Sequence, residues 1–242
     1  MASAAERDAV LARLSTRLNL PEFGPWQVEL EWEDPGNRLR ERRKSQVDAV
    51  ATGPCATILF ECKFGEIDGG ACSRTIPRQV GAQAGVRQCN GNYEMQTNPV
   101  NEENARCALT GKGIRYWELI PGVFQLDSTA DYIPCPFDGP SYQWMRNLVL
   151  AEEIRRSEAR QTSFVIVYAD HPNLPFPNKL VSPEWAEFIH ALRTDTVQLH
   201  TISYQELLRI AVDAVGGSNT KWRDLEKWVL DKINRIGSTP KR

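Results

Sequence analysis

Residues 57–64, TILFECKF, are the stretch that decides the fold, and residues 45–51, SQVDAVA, lie just ahead of it. Both stretches are rich in the β-branched and aromatic residues that favour strands. Gly53 and Pro54 between them are typical turn residues. The sequence therefore predicts two neighbouring strands joined as an antiparallel hairpin.

Alternation along the second strand separates its polar and apolar side chains. Glu61 and Lys63 point to one face, while Phe60 and Cys62 point to the other. An acid and an amine at the end of an apolar strand need a partner or a metal ion, because burying an unpaired charge is costly. The hairpin predicts that the carboxylate of Asp48 lies beside Glu61.

The surrounding sequence predicts further helices and strands in an α/β order. Apolar residues at helical or alternating intervals support this pattern. The predicted helices span residues 6–18, 141–156, 183–192 and 222–236, with another beginning at Ser203, and the other predicted strands span residues 28–33, 164–169 and 197–202.

The intervening segment, about residues 65–140, is interrupted by Gly, Pro, Asn and Asp and is predicted to be a large insertion after the third strand. The prediction is a single domain over residues 1–242, with a C-terminal helical extension at about residues 203–236. Its fold class is α/β, a mixed sheet with an αβββαβ core flanked by helices.

Composition limits the classes of function. The hydrophobic share of 41% and charged share of 25% are ordinary for a globular protein. No apolar run approaches the roughly 20 residues that span a bilayer, and charges occupy the N-terminal residues where a signal peptide is apolar. We therefore expect a cytoplasmic protein with no membrane association.

The net charge of -2 means that nucleic acid would have to bind to a local basic face. The candidate face lies just ahead of Asp48, although a charge run of this kind is also typical of a solvated loop. It consists of Arg38, Arg40, Arg42, Arg43 and Lys44.

Asp48, Glu61 and Lys63 suit metal-dependent phosphodiester hydrolysis. Two adjacent carboxylates repel each other, and a divalent cation removes that repulsion and acts as a Lewis acid. Magnesium, or manganese in its place, suits a site of one or two carboxylates completed by water and substrate phosphate. Lys63 would orient or help deprotonate the attacking water and offset charge on the phosphate oxygens.

Asp48, twelve residues and then Glu61-Cys62-Lys63 resemble the D…E-x-K motif of the PD-(D/E)XK nucleases. The predicted αβββαβ order is also similar to theirs, over most of residues 6–170. Residues 61–66, 88–93 and 142–147 look like the restriction-endonuclease-like branch.

This resemblance implies a DNA endonuclease, with roles in restriction, defence or repair left open. It implies that the backbone carbonyl of Cys62 is a further metal ligand and that an upstream acid, Glu29 or Glu31, completes the site. It also implies that Gln143, Arg146 and Asn147 face metal or phosphate, with capping or surface roles as the alternative. Double-strand cutting would favour a two-fold homodimer, and nicking would not require one.

Four of the six cysteines fall inside the insertion. A zinc ion or an iron–sulfur cluster could be held by four thiolates, but the gaps are long and no C-x-x-C pair occurs. The alternative is that they are small buried hydrophobic residues. These cysteines are Cys72, Cys89, Cys107 and Cys135.

Two other functions compete with a nuclease. The first is a non-catalytic nucleic-acid-binding module of the same fold, against which the intact acid, acid and lysine set argues. The second is an interaction domain stapled by a metal at the cysteines, in which the E-x-K stretch is an exposed strand.

Overall fold

The structure is a computed structural model. It describes residues 3–21, 24–82, 84–86, 89, 92–94, 107, 109–125, 132–135, 139–216 and 219–238, with the backbone alone at residues 92–94 and 132–134.

A five-stranded mixed sheet is the centre of the fold. Its strands are β1 Gln27–Glu33, β2 Gln46–Thr52, β3 Ala56–Lys63, β6 Gln161–Tyr168 and β7 Gln198–Ser203. They lie in the order β1-β2-β3-β6-β7, with β1, β2 and β3 antiparallel and β3, β6 and β7 parallel.

The helices are α1 Ala4–Arg17, α2 Tyr116–Leu119, α3 Tyr142–Glu158, α4 Pro175–Leu180, α5 Pro183–His190, α6 Tyr204–Val215 and α7 Thr220–Gly237. Within the described residues, no helix is long and apolar enough to cross a membrane.

Strand β3 is central because it is almost continuously apolar and is paired on both sides. Alternation then determines the layers. Leu59 belongs to the core cluster that includes Trp144 of α3, while Ile58 and Phe60 belong to the cluster that includes Leu14 of α1. The sheet is therefore covered by helices on both faces, and the predicted α/β fold class is confirmed.

The insertion after β3 contributes little regular structure among its described residues. A two-stranded sheet pairs β4, Asn92–Glu94, with β5, Tyr132–Pro134. The short helix α2 lies between them, flanked by 3-10 turns at Thr110–Lys112 and Ile120–Gly122. The insertion nevertheless supplies buried side chains, including Trp117, to the core beneath α3.

Side chains cap the starts of two helices. The Oγ of Ser203 accepts a hydrogen bond from the amide of Glu206 at the start of α6. At α1 a reciprocal capping box joins Ser3 and Glu6. Hydrogen bonds from the backbone amide of Ser3 and the side chain of Asn219 lower the pKa of Glu6 to about 2.

Helix α4 was not predicted from the sequence. Pro175 and Pro177 suggest a break, but both stand in the first turn of this helix, where backbone amides have no intrahelical partner. The prolines therefore start the helix rather than end it.

Candidate active site

The candidate site lies where β2 separates from β3. The two strands pair from Ala49 to Thr52 on β2, and the pairing stops before Asp48. Instead of a backbone group, the Oδ2 of Asp48 accepts the hydrogen bond of the Cys62 amide, at 2.6 Å. A side-chain carboxylate thus occupies the gap that opens in the sheet.

Glu61 and Lys63 share one face of β3, as alternation predicts. Their side chains form an ion pair in which the Nζ of Lys63 lies 2.9 Å from the Oε1 of Glu61. Glu61 is 8% exposed and Lys63 is 4% exposed, so the pair is almost fully withdrawn from water. Each charge is therefore a necessary partner for the other.

Helix α3 holds both members of this pair through amide side chains. The Oε1 of Gln143 accepts a hydrogen bond from the Nζ of Lys63 at 3.0 Å. The Nδ2 of Asn147 donates to the Oε2 of Glu61 at 3.0 Å. Gln143 contacts Lys63 and also lines the cleft in front of the pair, and its role in facing metal or phosphate stays a prediction.

A cleft of about 790 Å³ opens in front of these residues, and both Asp48 and Glu61 line it. Of the two upstream acids left open by the sequence, Glu31 lines the cleft, whereas Glu29 is not among the described residues that do. Glu31 has a φ of 48°, which is uncommon for a residue with a side chain. In the pairing of β1 with β2, Leu30 lies opposite Ala49 and Trp32 lies opposite Val47, but Glu31 and Asp48 between them are not paired.

The predicted basic face is only partly in the cleft. Arg42, Arg43 and Lys44 line it, together with Arg146 of α3. Arg38 and Arg40 are not among the described lining residues.

Arg38 is bound elsewhere, in ion pairs with Asp34, which is fully buried, and with Glu158. Its guanidinium thus fastens the loop before β2 to the end of α3. In this arrangement Arg38 is a structural residue.

Other residues of the cleft wall were not predicted from the sequence. They include Glu33, Glu41, Arg74, Tyr116 and Tyr142. Glu41 was hidden within a run of basic residues, and Arg74 reaches the cleft only through the path of the insertion, so no local pattern marks either of them.

Glu41 and the two tyrosines form a hydrogen-bonded group at the insertion side of the cleft. The hydroxyl of Tyr116 donates to Glu41 and lies 3.1 Å from the hydroxyl of Tyr142. Burial, with the nearby Tyr142 and Glu41, raises the pKa of Tyr116 well above its usual range. Tyr116 therefore stays protonated and acts as a hydrogen-bond donor.

The four cysteines of the insertion are all buried in the core cluster beneath α3. Burial raises the pKa of Cys72, and the nearby Cys107 and Cys89 raise it further. A thiol must lose its proton to bind metal, so these surroundings favour the protonated form. Among the described residues, no group of three or more His, Cys, Asp or Glu side chains is placed to hold a metal ion. Zinc or iron–sulfur binding by Cys72, Cys89, Cys107 and Cys135 stays a prediction.

A mixed sheet flanked by helices, with Asp48, Glu61 and Lys63 at the point where β2 leaves β3, defines a protein of the restriction-endonuclease-like class. The chain belongs to the REase-ARP family, described as restriction endonuclease associating with ARP, whose model matches residues 3–228. No curated protein and no solved structure matches it significantly.

Proposed function

We propose that the chain is a DNA endonuclease that depends on Mg²⁺, or on Mn²⁺ in its place, and hydrolyses phosphodiester bonds. The observation that carries this proposal is the buried pair of Glu61 and Lys63 beside Asp48, at the base of a cleft with a partly basic wall. Membership of a restriction endonuclease family supports the nuclease class. Restriction, defence and repair are all roles that this chemistry could serve.

The oxygen ligands of the site fit magnesium. Mg²⁺ is usually bound by one or two carboxylates, with water and phosphate in the other positions, and Asp48 and Glu61 supply that number. An ionised carboxylate can accept about four hydrogen bonds or metal contacts, so the bonds already made by these two leave capacity. Glu31 provides a further carboxylate in the same cleft.

The backbone carbonyl of Cys62 is proposed as a further ligand. The amide of Cys62 points towards β2, because it donates to Asp48. In a strand, the N–H and C=O of one residue serve the same neighbouring strand. The carbonyl of Cys62 should therefore face the same gap as the carboxylate of Asp48.

The bound cation would supply a Lewis acid and a source of activated water. The residues of the chain contribute position and charge. Glu61 is held on both of its oxygens, by Lys63 and by Asn147. Lys63 presents a positive charge close to the cleft, where it would offset the charge that develops on the phosphate oxygens.

DNA would bind along the basic part of the cleft wall. A local cluster of Lys and Arg can bind phosphate even when the net charge of the protein is negative, because binding depends on the local electrostatic field. The proposed contacts are Arg42, Arg43, Lys44, Arg74 and Arg146.

Plasmid cleavage tests the proposal. The purified protein should convert supercoiled DNA to nicked or linear DNA with Mg²⁺, and not with EDTA. Asp48→Asn and Glu61→Gln should abolish this cleavage, whereas Lys227→Met, at an exposed lysine of α7, should retain it. Cleavage that persists in the Asp48 and Glu61 variants would refute the site.

The same experiment separates the proposal from a non-catalytic module, which would bind DNA and leave it intact. Linear product at low conversion would support a two-fold dimer. Elemental analysis for zinc and iron tests the separate prediction for the four cysteines.

A further inference from the structure

Two amide side chains on α3 contact the proposed catalytic pair separately. Gln143 and Asn147 are four residues apart, so they lie on the same face of the helix. Gln143 contacts Lys63, and Asn147 contacts Glu61.

Asn147 is a polar side chain at a position surrounded by the apolar core. It is completely buried, with Leu148 and Val149 beside it in the apolar core. Its Oδ1 accepts no hydrogen bond from any described residue. An orphaned buried acceptor destabilises a fold, and leucine has nearly the same shape without that cost. The hydrogen bond that it donates to Glu61 is therefore what an amide supplies here and leucine would not.

The contact with Glu61 determines how the amide of Asn147 is oriented. With the opposite orientation, the amide oxygen would face the carboxylate, and two acceptors would repel each other. Holding the Oε2 of Glu61 fixes the carboxylate plane and directs the Oε1 towards Lys63. In this orientation the Oδ1 of Asn147 receives no hydrogen bond from the described residues.

Gln143 acts on the other member of the pair. The ammonium of Lys63 has two described acceptors, Glu61 and Gln143. If Glu61 engages a cation, its attraction for Lys63 weakens, and Gln143 continues to hold the ammonium near the cleft.

We propose that Gln143 and Asn147 are positioning residues with separate effects, in which Asn147 determines the affinity for the divalent cation and Gln143 determines the rate of the loaded enzyme. The inference rests on the proposed function and deepens it.

The test uses two isosteric variants, Asn147→Leu and Gln143→Met, and two readouts. The first readout is Mn²⁺ binding without DNA, followed by the electron paramagnetic resonance signal of free Mn²⁺. The second is the plasmid cleavage rate as a function of Mg²⁺ concentration, which separates the half-saturating concentration from the maximal rate.

Asn147→Leu should weaken Mn²⁺ binding by about 10- to 100-fold, the usual effect of losing a residue that supports a metal ligand, and raise the half-saturating Mg²⁺ concentration equally. Its maximal rate should fall less than its metal affinity. Gln143→Met should lower the maximal rate by about 10- to 100-fold, with a smaller change in Mn²⁺ binding. Gln143→Glu keeps an oxygen acceptor for Lys63 and should recover part of that rate.

Equal losses of metal affinity and maximal rate in both variants, or wild-type behaviour in both, would overturn the inference. Asp48→Asn and Glu61→Gln separate it from the proposed function. If these two keep metal binding and cleavage, the proposed function fails. If they lose both while the α3 variants behave as wild type, only the positioning roles fail. Asn147→Ala, which cannot overpack the core, gives the same readouts if Asn147→Leu does not fold.

Discussion

Replacing Lys63 with methionine should destabilise the protein and make its stability depend more strongly on a divalent cation. The variant keeps the length of the side chain and removes the ammonium that lies 2.9 Å from the Oε1 of Glu61. Glu61 is then a buried carboxylate held only by Asn147 among the described residues. Asp48 lines the same cleft, so the remaining charges repel each other.

The size of the effect follows from burial. Removing one partner of a buried ion pair typically costs about 3 to 5 kcal/mol. The hydrogen bond from Asn147 and the access of Glu61 to the cleft favour the lower end, about 3 kcal/mol. For a domain of this length, that corresponds to a fall in melting temperature of about 6 to 12 °C.

A divalent cation should recover more stability in Lys63→Met than in the wild type, because the uncompensated carboxylates attract it more strongly. Binding at about a hundred times the dissociation constant adds about 2.7 kcal/mol, and tighter binding adds more. Thermal melting in EDTA and in Mg²⁺ measures both effects.

Lys227→Met is the matched control. Lys227 is exposed on α7, and even paired surface charges contribute only about 0 to 1 kcal/mol. The reasoning about the buried pair is wrong if Lys63→Met and this control have the same melting temperature in EDTA. It is also wrong if Mg²⁺ raises the melting temperature of Lys63→Met no more than that of the wild type.

Three further predictions concern packing, pH and DNA binding. Gly69→Ala should lower the free energy of unfolding by about 1 to 3 kcal/mol in urea titration, because the new Cβ would lie 2.9 Å from the buried ring of Trp144. The pKa of the Glu6 carboxyl is lowered from 4.5 to about 2, so this group stabilises the fold above pH 4.5 and the stabilisation is lost as the pH falls towards 2. Glu6→Gln should therefore lose less stability than the wild type between about pH 5 and pH 2.5. Arg74→Ala should weaken DNA binding and reduce the slope of log affinity against log salt by about 1, whereas Arg13→Ala on α1 should leave it unchanged.

Each of these predictions has a clear contrary result. A Cβ at Gly65 would meet nothing within 4 Å, so equal destabilisation by Gly65→Ala and Gly69→Ala would contradict the packing argument. Parallel stability curves for wild type and Glu6→Gln across the acid range would contradict the role of the capping box. An Arg74→Ala variant with the wild-type salt slope would remove Arg74 from the phosphate contacts.

The central part of the site could be predicted because its determinants are local. Alternation along β3 places Glu61 and Lys63 on one face, and the turn at Gly53 brings β2 alongside β3. Neither inference needs information from distant parts of the chain. The long periodic segments, such as α3 and β6, were predicted for the same reason.

The rest of the site depends on features that sequence periodicity does not show. Glu29 and Glu31 are two residues apart, so alternation places both on the same face of β1. The cleft is lined by Glu31, whose positive φ is a property of the folded backbone. Arg74 reaches the cleft through an irregular insertion. Asn147 was predicted from the family resemblance to face metal or phosphate, but its contact with Glu61 depends on how the helix is rotated against the sheet.

The separation of β2 from β3 has a consequence for spectroscopy. Where paired strands would share a backbone hydrogen bond, the amide of Cys62 instead bonds to the carboxylate of Asp48. Its proton should therefore exchange with solvent whenever the side chain of Asp48 changes rotamer, while amides in the paired part of β3 exchange only when the strands separate. One backbone resonance in the NMR spectrum would then report the motion of a single acidic side chain.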